Sequence, residues 1–362
     1  MGREFLDFLP AGHKFGNSTL GEDKMTVKTI KDIAKKAGVS VATVSKVINN
    51  YSDIGAETRQ RVLKILEEES FEPNVIAKSL SGKQSYSIGL FVAHNPTPGL
   101  HHAFFQGVVF GLQRTLGKHG YDFVLLSDST LKGSGDFLQK CRTRQVDGAV
   151  FMGIDKNEPS LASLLNSKLP SVFIDGDHCG RNSRCVVWDN YSGARQAVEY
   201  FYNLGHRKIA LIQGLPGVKP TEERTEGFLE ALRKYNLTCP TQWIVGNDYL
   251  EVCGYEGMKK LIKQSDRPTA VFCQSDSIAV GALMAIEESG LKCPDDISII
   301  GYDDIDLCKY IKPRLTTIRQ DTDLMGRTAA KVLLGLIRQT ETALSPVVLS
   351  VKLIERDSCC RI

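Results

Sequence analysis

Residues Val27 to Lys83 read VKTIKDIAKKAGVSVATVSKVINNYSDIGAETRQRVLKILEEESFEPNVIAKSLSGK, three short amphipathic patterns of which the first two are joined by only a few residues. Thr29 stands where a helix N-cap is wanted, and Ile30, Ile33, Ala34 and Ala37 recur at helical spacing. Gly38 ends that helix, because glycine enters the left-handed conformation without a Cβ penalty. Ser40 can cap a second helix over 41–48, with Val44, Val47 and Ile48 facing inward. A third pattern over 57–70 carries Val62, Leu63, Ile65 and Leu66. Helix, glycine turn, helix and bracing helix is the layout of a helix-turn-helix DNA reader, although an ordinary three-helix bundle shows the same periodicity.

In a DNA reader the second helix lies in the major groove and its N-terminal residues meet base edges. Those residues are Val41, Ala42, Ser45 and Lys46. Lysine donates to guanine O6 and N7, while small apolar side chains offer surface to a thymine methyl. Thr29, Ser40, Thr43 and Asn49 suit phosphate contacts, which fix register without reading sequence.

The next segment decides between the two readings. Pro73-Asn74-Val75-Ile76-Ala77-Lys78-Ser79-Leu80 is a proline stop, an asparagine cap and a helical pattern too short to persist alone. The motif TIKDIAKKAGVSVATVSKVINN followed by P-N-x-x-A-x-x-L resembles the lactose/galactose-repressor family of bacterial transcription regulators, and the likeness continues through the rest of the chain. The resemblance implies that 74–84 is a hinge helix and linker, paired with its twin in the minor groove, with Ala77 at the contact and Leu80 wedged between base steps.

Charge is concentrated in the same place. Residues 26–83 hold ten lysines and arginines against seven acids, which accounts for the entire net charge of +3. Lys28, Lys31, Lys35 and Lys36 gather at the first helix, whereas Glu67 to Glu69 lie on the third, so DNA affinity should depend on salt through counterion release. The ten cysteines show no CxxC and no zinc spacing, which reads as reduced thiols in a cytoplasm, with Cys359-Cys360 on a frayed tail. No apolar run approaches a membrane span. Residues 1–25 read as a disordered leader, lacking the continuous apolar core of a signal peptide, with Met25 as the alternative start.

From Ser87 onward, short apolar strands alternate with helical stretches. Strands are expected at 88–92, 123–127, 148–152 and 171–175, and again at 209–213, 244–245, 270–273 and 298–301. The helix after the first strand carries Phe104, Val108, Leu112 and Leu116, and Gly120 ends it. The expected fold class is α/β: a helix-turn-helix domain over 26–73, then over 85–362 two doubly wound halves of parallel sheet sharing a cleft at their strand ends. The family likeness implies a periplasmic-binding-protein-like domain whose halves exchange strands, with crossings near 187–190, 318–320 and 342–346. The halves are then 86–187 with 320–342, and 188–319 with 343–362.

Several polar groups close strands in the manner of a small-molecule site: Asp175, Ser275-Asp276 and Asp303-Asp304. Carboxylates accept from vicinal hydroxyls, a guanidinium donates in a fixed fork, and aromatic faces cover a sugar ring. By resemblance Asp175, Arg224, Ser275 and Asp303 occupy effector-contacting positions, and Phe104, Phe105, Tyr249 and Trp188 line the same cleft. The family's usual asparagine is Ser275 here, and Met152 stands where some sugar-binding relatives are polar.

Enzyme motifs are poorly matched. Gly111 to Lys118 has five residues between its glycines and His119 where a phosphate loop has Ser or Thr, and Gly133-Ser134-Gly135 lacks a third glycine at Rossmann spacing. His101-His102 has no partner at metal-binding spacing, and His206 reads as a turn residue. The expected protein is therefore not an enzyme and needs no cofactor or metal. It is a cytoplasmic, homodimeric repressor of carbohydrate genes that binds a pseudo-palindromic operator and a sugar or sugar derivative. Control by a phosphorylated carrier protein, a purine or other small-molecule effector, and an enzyme or solute-binding protein fused to a DNA reader are the competing readings.

Overall fold

The structure, a computed structural model, describes residues 29–48, 51–69, 71, 84–92, 100, 102–126, 136–154, 158–340 and 345–362. The expected leader, Asn49 and the hinge residues Ala77 and Leu80 lie outside the described residues. The chain divides between residues 81 and 82 into two compact units.

The first unit holds α1 (Ile30–Ala37), α2 (Val41–Ile48) and α3 (Ala56–Glu68). Its start is fixed by the Asp32 carboxylate, which accepts from the Thr29 N–H and hydroxyl, both at 2.8 Å. Gly38 takes the left-handed conformation at φ 64°, and Ser40 Oγ accepts the Thr43 N–H at 3.1 Å to open α2. Ile33, Ala34, Ala37, Val44, Val47, Val62 and Ile65 make the small core. Leu63 points to solvent instead.

The second unit contains two six-stranded sheets. In chain order its elements are β1 (Ser87–Val92), α4 (Ala103–Gly117), β2 (Asp122–Leu126), α5 (Phe137–Thr143), β3 (Gly148–Met152), α6 (Leu161–Leu165), β4 (Ser171–Ile174) and β5 (Ser183–Trp188). Then follow α7 (Asn190–Asn203), β6 (Ile209–Ile212), α8 (Lys219–Lys234), β7 (Ile244–Val245), α9 (Glu251–Ile262), β8 (Ala270–Cys273), α10 (Asp276–Glu288) and β9 (Ser298–Asp303). The last are β10 (Thr316–Arg319), α11 (Thr322–Ile337), β11 (Val347–Leu349) and β12 (Lys352–Ile354). The N-terminal sheet is ordered β11-β5-β4-β3-β1-β2 and is parallel throughout. The C-terminal sheet is ordered β12-β10-β9-β8-β6-β7, with only β12 antiparallel. Central strands such as β3 and β4 are buried on both faces, as continuous apolar runs under covering helices must be.

The chain passes between the two sheets three times. The chain leaves the N-terminal sheet after Trp188, and Asp189 caps α7 by accepting from Ser192 N at 3.0 Å. It returns after β10, where Asp321 caps α11 by accepting from Leu324 N at 2.9 Å. The third crossing is displaced. β11 pairs in parallel with β5, so the chain remains with the N-terminal sheet to Leu349 and crosses at 350–351, not at 342–346. β5, β10, β11 and β12 were not anticipated as strands. The tail is not frayed either: Ser358 Oγ accepts Thr316 N (2.8 Å) and donates to the Ile299 carbonyl (2.7 Å). His206 is buried, its ring nitrogens bonded to Thr269 Oγ1 and the Cys360 carbonyl.

Glycines let two helix pairs approach closely. A Cβ on Gly281 of α10 would fall 1.8 Å from the Glu251 carbonyl oxygen, and one on Gly254 of α9 would fall 1.9 Å from that of Ile278. Gly111 of α4 and Gly326 of α11 repeat the arrangement in the other subdomain. Gly281→Ala should therefore force α9 and α10 apart and cost roughly 1–3 kcal/mol. Urea unfolding checks this, and an unchanged midpoint would contradict the packing.

Candidate nucleic-acid interface and ligand cavity

At the start of α2, Val41 and Ala42 are exposed, Thr43 and Ser45 are half-buried, and Lys46 is exposed one turn further on. Val44 and Val47 of the same helix are sealed into the core, so α2 presents one face outward by construction. Lys46 forms an ion pair with Asp53 in the loop before α3. Any group that recruits Lys46 must compete with that carboxylate, a cost the sequence did not reveal. The hydroxyls of Ser40 and Thr43 lie 2.9 Å apart, and the Thr29 hydroxyl is bonded to Asp32. On α1, Lys36 pairs with Glu68 and Glu69 at the end of α3, which neutralises part of the expected basic cluster.

Within the second unit, a cavity of about 540 Å³ is lined by residues of both subdomains. Phe104 and Phe105 at the start of α4 contribute an edge-to-face aromatic pair with centroids 5.3 Å apart. The ends of β3 and β4 supply Gly153, Ile154 and Asp175. The opposite wall comes from the loop before α8, from Arg224 and from Tyr249, whose hydroxyl lies 2.5 Å from Thr221 Oγ1. Asp303 ends β9 at φ 118°, and Asp175 follows β4 at φ 52°. Both carboxylates stand in conformations side chains rarely adopt, held there by the strands behind them.

Arg224 is buried at the floor of this cavity. Its Nε donates to Asn190 Oδ1 at 2.8 Å, and Nη1 donates to the Gln274 carbonyl at 2.6 Å. The guanidinium stacks 3.7 Å from the centroid of Tyr302. Gln320, at the second crossing, pairs donor with acceptor only when its amide is oriented with the oxygen accepting from Arg224 Nη2 at 2.8 Å and the nitrogen donating to Asp303 Oδ1 at 3.3 Å. Burial pushes the Asp175 carboxyl up to about 6 and Asp303 well above the usual carboxylate range, while the charge of Arg224 pulls both the other way. The neighbouring Asp304 is separate from this group: Arg319 and Arg356 pair with it from either side.

His102, which the sequence reading assigned to a loop, is the N-cap of α4. Its Nδ1 accepts the Phe104 N–H at 3.3 Å, so the neutral ring carries its proton on Nε2. That nitrogen is buried, has no hydrogen-bond partner among the described residues, and faces Asp303 Oδ2 of the other subdomain across 3.9 Å. Burial, then the charge of Arg224, depress the imidazole to about 4.

Of the expected ligand residues, Phe104, Phe105, Asp175, Arg224, Tyr249 and Asp303 border the cavity. Trp188 and Ser275 do not. Trp188 is packed in the N-terminal core, where its backbone N–H donates to Asp175 Oδ1 at 3.2 Å. Ser275 caps α10 by accepting from Ile278 N at 3.1 Å and donates to the Tyr249 carbonyl at 3.3 Å. Both act behind the wall. Met152 is likewise a core residue, so its lack of polarity carries no message about the ligand. His102, Lys219, Glu223 and Gln320 were missed. An N-cap histidine has no strong sequence signature, and Gln320 would have been found had β10 been recognised, since it is the residue just beyond that strand.

Residues 29–74 match the model described as bacterial regulatory proteins, lacI family, and residues 198–359 match the periplasmic binding protein-like domain. The chain is 34% identical over 335 residues to the probable HTH-type transcriptional repressor ExuR of Bacillus subtilis, covering 92% of this chain and 99% of the relative. The chain belongs to the lacI family. It is also 34% identical over 333 residues to the HTH-type transcriptional repressor PurR of Escherichia coli, covering 91% of this chain and 96% of that one. The lac repressor dimer bound to operator and the anti-inducer ONPF superposes with a TM-score of 0.79 at 28% identity, over 92% of this chain and 99% of the other. The transcriptional regulator CelR–cellobiose complex gives 0.67 at 27% identity, over 91% and 99%. This lacI-family chain is thus a DNA-binding, ligand-responsive transcriptional regulator with a helix-turn-helix domain and a periplasmic-binding-protein-like domain. No helix among the described residues is long and apolar enough to cross a membrane, and no cluster of three or more His, Cys, Asp or Glu there could hold a metal ion.

Lys46→Ala should relax preference at one base pair per half-site by about 1–3 kcal/mol, measured by binding to a library of operator variants. A uniform loss across all sequences would assign Lys46 to phosphate. For Asp175, a folded pKa raised from 3.8 to about 6 means that the folded state holds the proton more tightly than the unfolded chain. Stability from this group falls as pH rises through that window and is level above it. Asp175→Asn should match wild type near pH ~4 and exceed it by roughly 1–3 kcal/mol above pH ~7, in paired denaturation curves. A constant difference at both pH values would contradict a desolvated carboxyl.

Proposed function

We propose that this regulator represses genes of carbohydrate uptake or catabolism from a pseudo-palindromic operator, as a cytoplasmic homodimer, and that its cavity takes a neutral polyhydroxylated effector. The observation that carries the effector reading is the pairing, across the cleft, of a donor and an acceptor. His102 Nε2–H can donate and Asp303 Oδ2 can accept; the two stand 3.9 Å apart without bonding each other, and a hydroxyl group could satisfy both at once. Asp175 offers a second acceptor, and Phe104, Phe105 and Tyr249 give aromatic surface for an apolar ring face. CelR is named in complex with cellobiose, and another family member with ribose, which supports the class without naming the compound.

Dimerisation is supported by exposed apolar side chains where a soluble monomer would carry polar ones. Phe110 on α4 and Leu125 on the edge strand β2 are 57% and 55% exposed, and Val252 of α9 and Met284 of α10 are 68% and 57% exposed. A two-fold pair of readers requires a two-fold operator. In the proposed mechanism, the effector shifts the population between open and closed arrangements of the subdomains, and closure alters pairing of the 74–84 segments on DNA.

Thermal unfolding across sugars, sugar phosphates, sugar acids and nucleobases tests the effector reading. One polyhydroxylated class at about a hundredfold excess over Kd should stabilise by roughly 2.7 kcal/mol, several degrees in Tm. Phe105→Ala and Asp303→Asn should shrink that shift. Stabilisation by nucleobases alone would overturn the sugar reading. No shift with any compound would contradict a small-molecule effector and favour a protein co-effector.

A further inference from the structure

The segment that forms one wall of the cavity also carries a pair of thiols. After β4 the chain runs past Asp175, Gly176, Asp177 and His178 along the cavity, then reverses into β5 through a bridge between Gly180 and Ser183. The reversal is tight enough to require glycine, since a Cβ at Gly180 would lie 2.8 Å from Ser183 Oγ and 3.1 Å from the Leu165 carbonyl oxygen. It brings Cys179 over Cys185, with their Sγ atoms 2.9 Å apart. That is roughly 1 Å beyond the ~2.05 Å of a disulfide bond, and the two residues already face each other.

The two thiols differ in access. Cys179 is exposed, whereas Cys185 is buried in β5, opposite Phe173 of β4. Burial, and then the hydrogen bond from Cys179, push the Cys185 thiol up. A dissolved oxidant therefore meets Cys179 first, and Cys185 is placed to resolve the product.

We propose that Cys179 and Cys185 form an oxidation site, converted by a peroxide to a disulfide that ties the 176–178 wall of the cavity to β5. The Cys179 thiolate attacks one peroxide oxygen, the O–O bond breaks, and the other oxygen leaves as hydroxide or alkoxide, which takes up the proton the thiol released on ionising and becomes water or an alcohol. The sulfur is oxidised to a sulfenic acid and the peroxide is reduced. The Cys185 sulfur then attacks the sulfenic sulfur, the S–O bond breaks, and hydroxide leaves with the Cys185 proton as water. The bond closes a short loop and fixes the main chain directly after His178, whose ring packs edge-on against Phe173 at 5.3 Å. This chemistry goes beyond the effector reading and does not depend on what the cavity binds.

Full-length protein treated with hydrogen peroxide, alkylated and digested without reductant tests the site. The expected product is a Cys179–Cys185 linked peptide, lighter by about 2 Da than the two thiol peptides and released by dithiothreitol. Amide exchange over 176–184 should slow in the oxidised wild type and stay unchanged in peroxide-treated Cys179→Ser, a substitution at an exposed position. Progression of Cys179 to sulfinic acid with Cys185 still reduced would overturn the proposal, as would linkage of Cys179 to any other cysteine. Formation of the disulfide with no change in exchange would overturn the tie to the cavity wall.

Discussion

A positive charge buried under the cavity governs the second unit. Arg224 has lost its water, and a charge so placed is costly unless it is compensated by hydrogen bonds and nearby opposite charge. Asn190, the Gln274 carbonyl and Gln320 each accept from one of its nitrogens, and the Tyr302 ring covers one face. The same guanidinium makes two buried carboxyls tolerable: Asp175 and Asp303 are both pushed up by burial and both drawn back by Arg224. Removing it would take away the largest compensating charge on both acids. The arginine is thus first a structural ion, and the cavity's acceptors depend on it.

Its partners tie the cavity to the crossings. Asn190 is the first residue of α7, directly after the chain leaves the N-terminal sheet, and Gln320 lies directly before it returns through α11. The aspartates that cap those two helices, Asp189 and Asp321, stand beside them. A change in the angle between the subdomains must therefore be felt at the floor of the cavity, through bonds of 2.8 Å to one guanidinium. His102 and Asp303 add a contact across the cleft that either opening or a bound hydroxyl would alter. This is a physical basis for the proposed coupling of ligand to closure: groups that line the cavity are bonded to residues at the two crossings.

Much of this was legible in the sequence, for identifiable reasons. Helices α1 and α2 could be bounded to the residue because Thr29, Gly38 and Ser40 act locally, and each cap is a chemical property of one side chain. Strands β3, β7 and β8 were equally plain, being short apolar runs closed by polar residues. β5, β10, β11 and β12 were hidden because their partners are distant: β11 is only three residues long and makes sense as a strand only beside β5. The six cavity residues found from strand ends and family likeness shared that logic. Trp188 and Ser275 failed it because neighbouring positions on a strand end alternate between wall and core, and side-chain direction is not written locally. The Lys46–Asp53 pair and the approach of the His102 nitrogen to Asp303 could be known only once remote segments met.

In the proposed mechanism ligand and operator act on one equilibrium, which makes their coupling reciprocal. The direct measurement is operator affinity of the full chain with and without the stabilising compound, set beside the affinity for that compound with and without operator DNA, at one salt concentration. The proposed mechanism requires both ratios to differ from one and to be equal, whether the compound tightens or loosens DNA binding. A compound that binds the cavity tightly yet leaves operator affinity unchanged would contradict it.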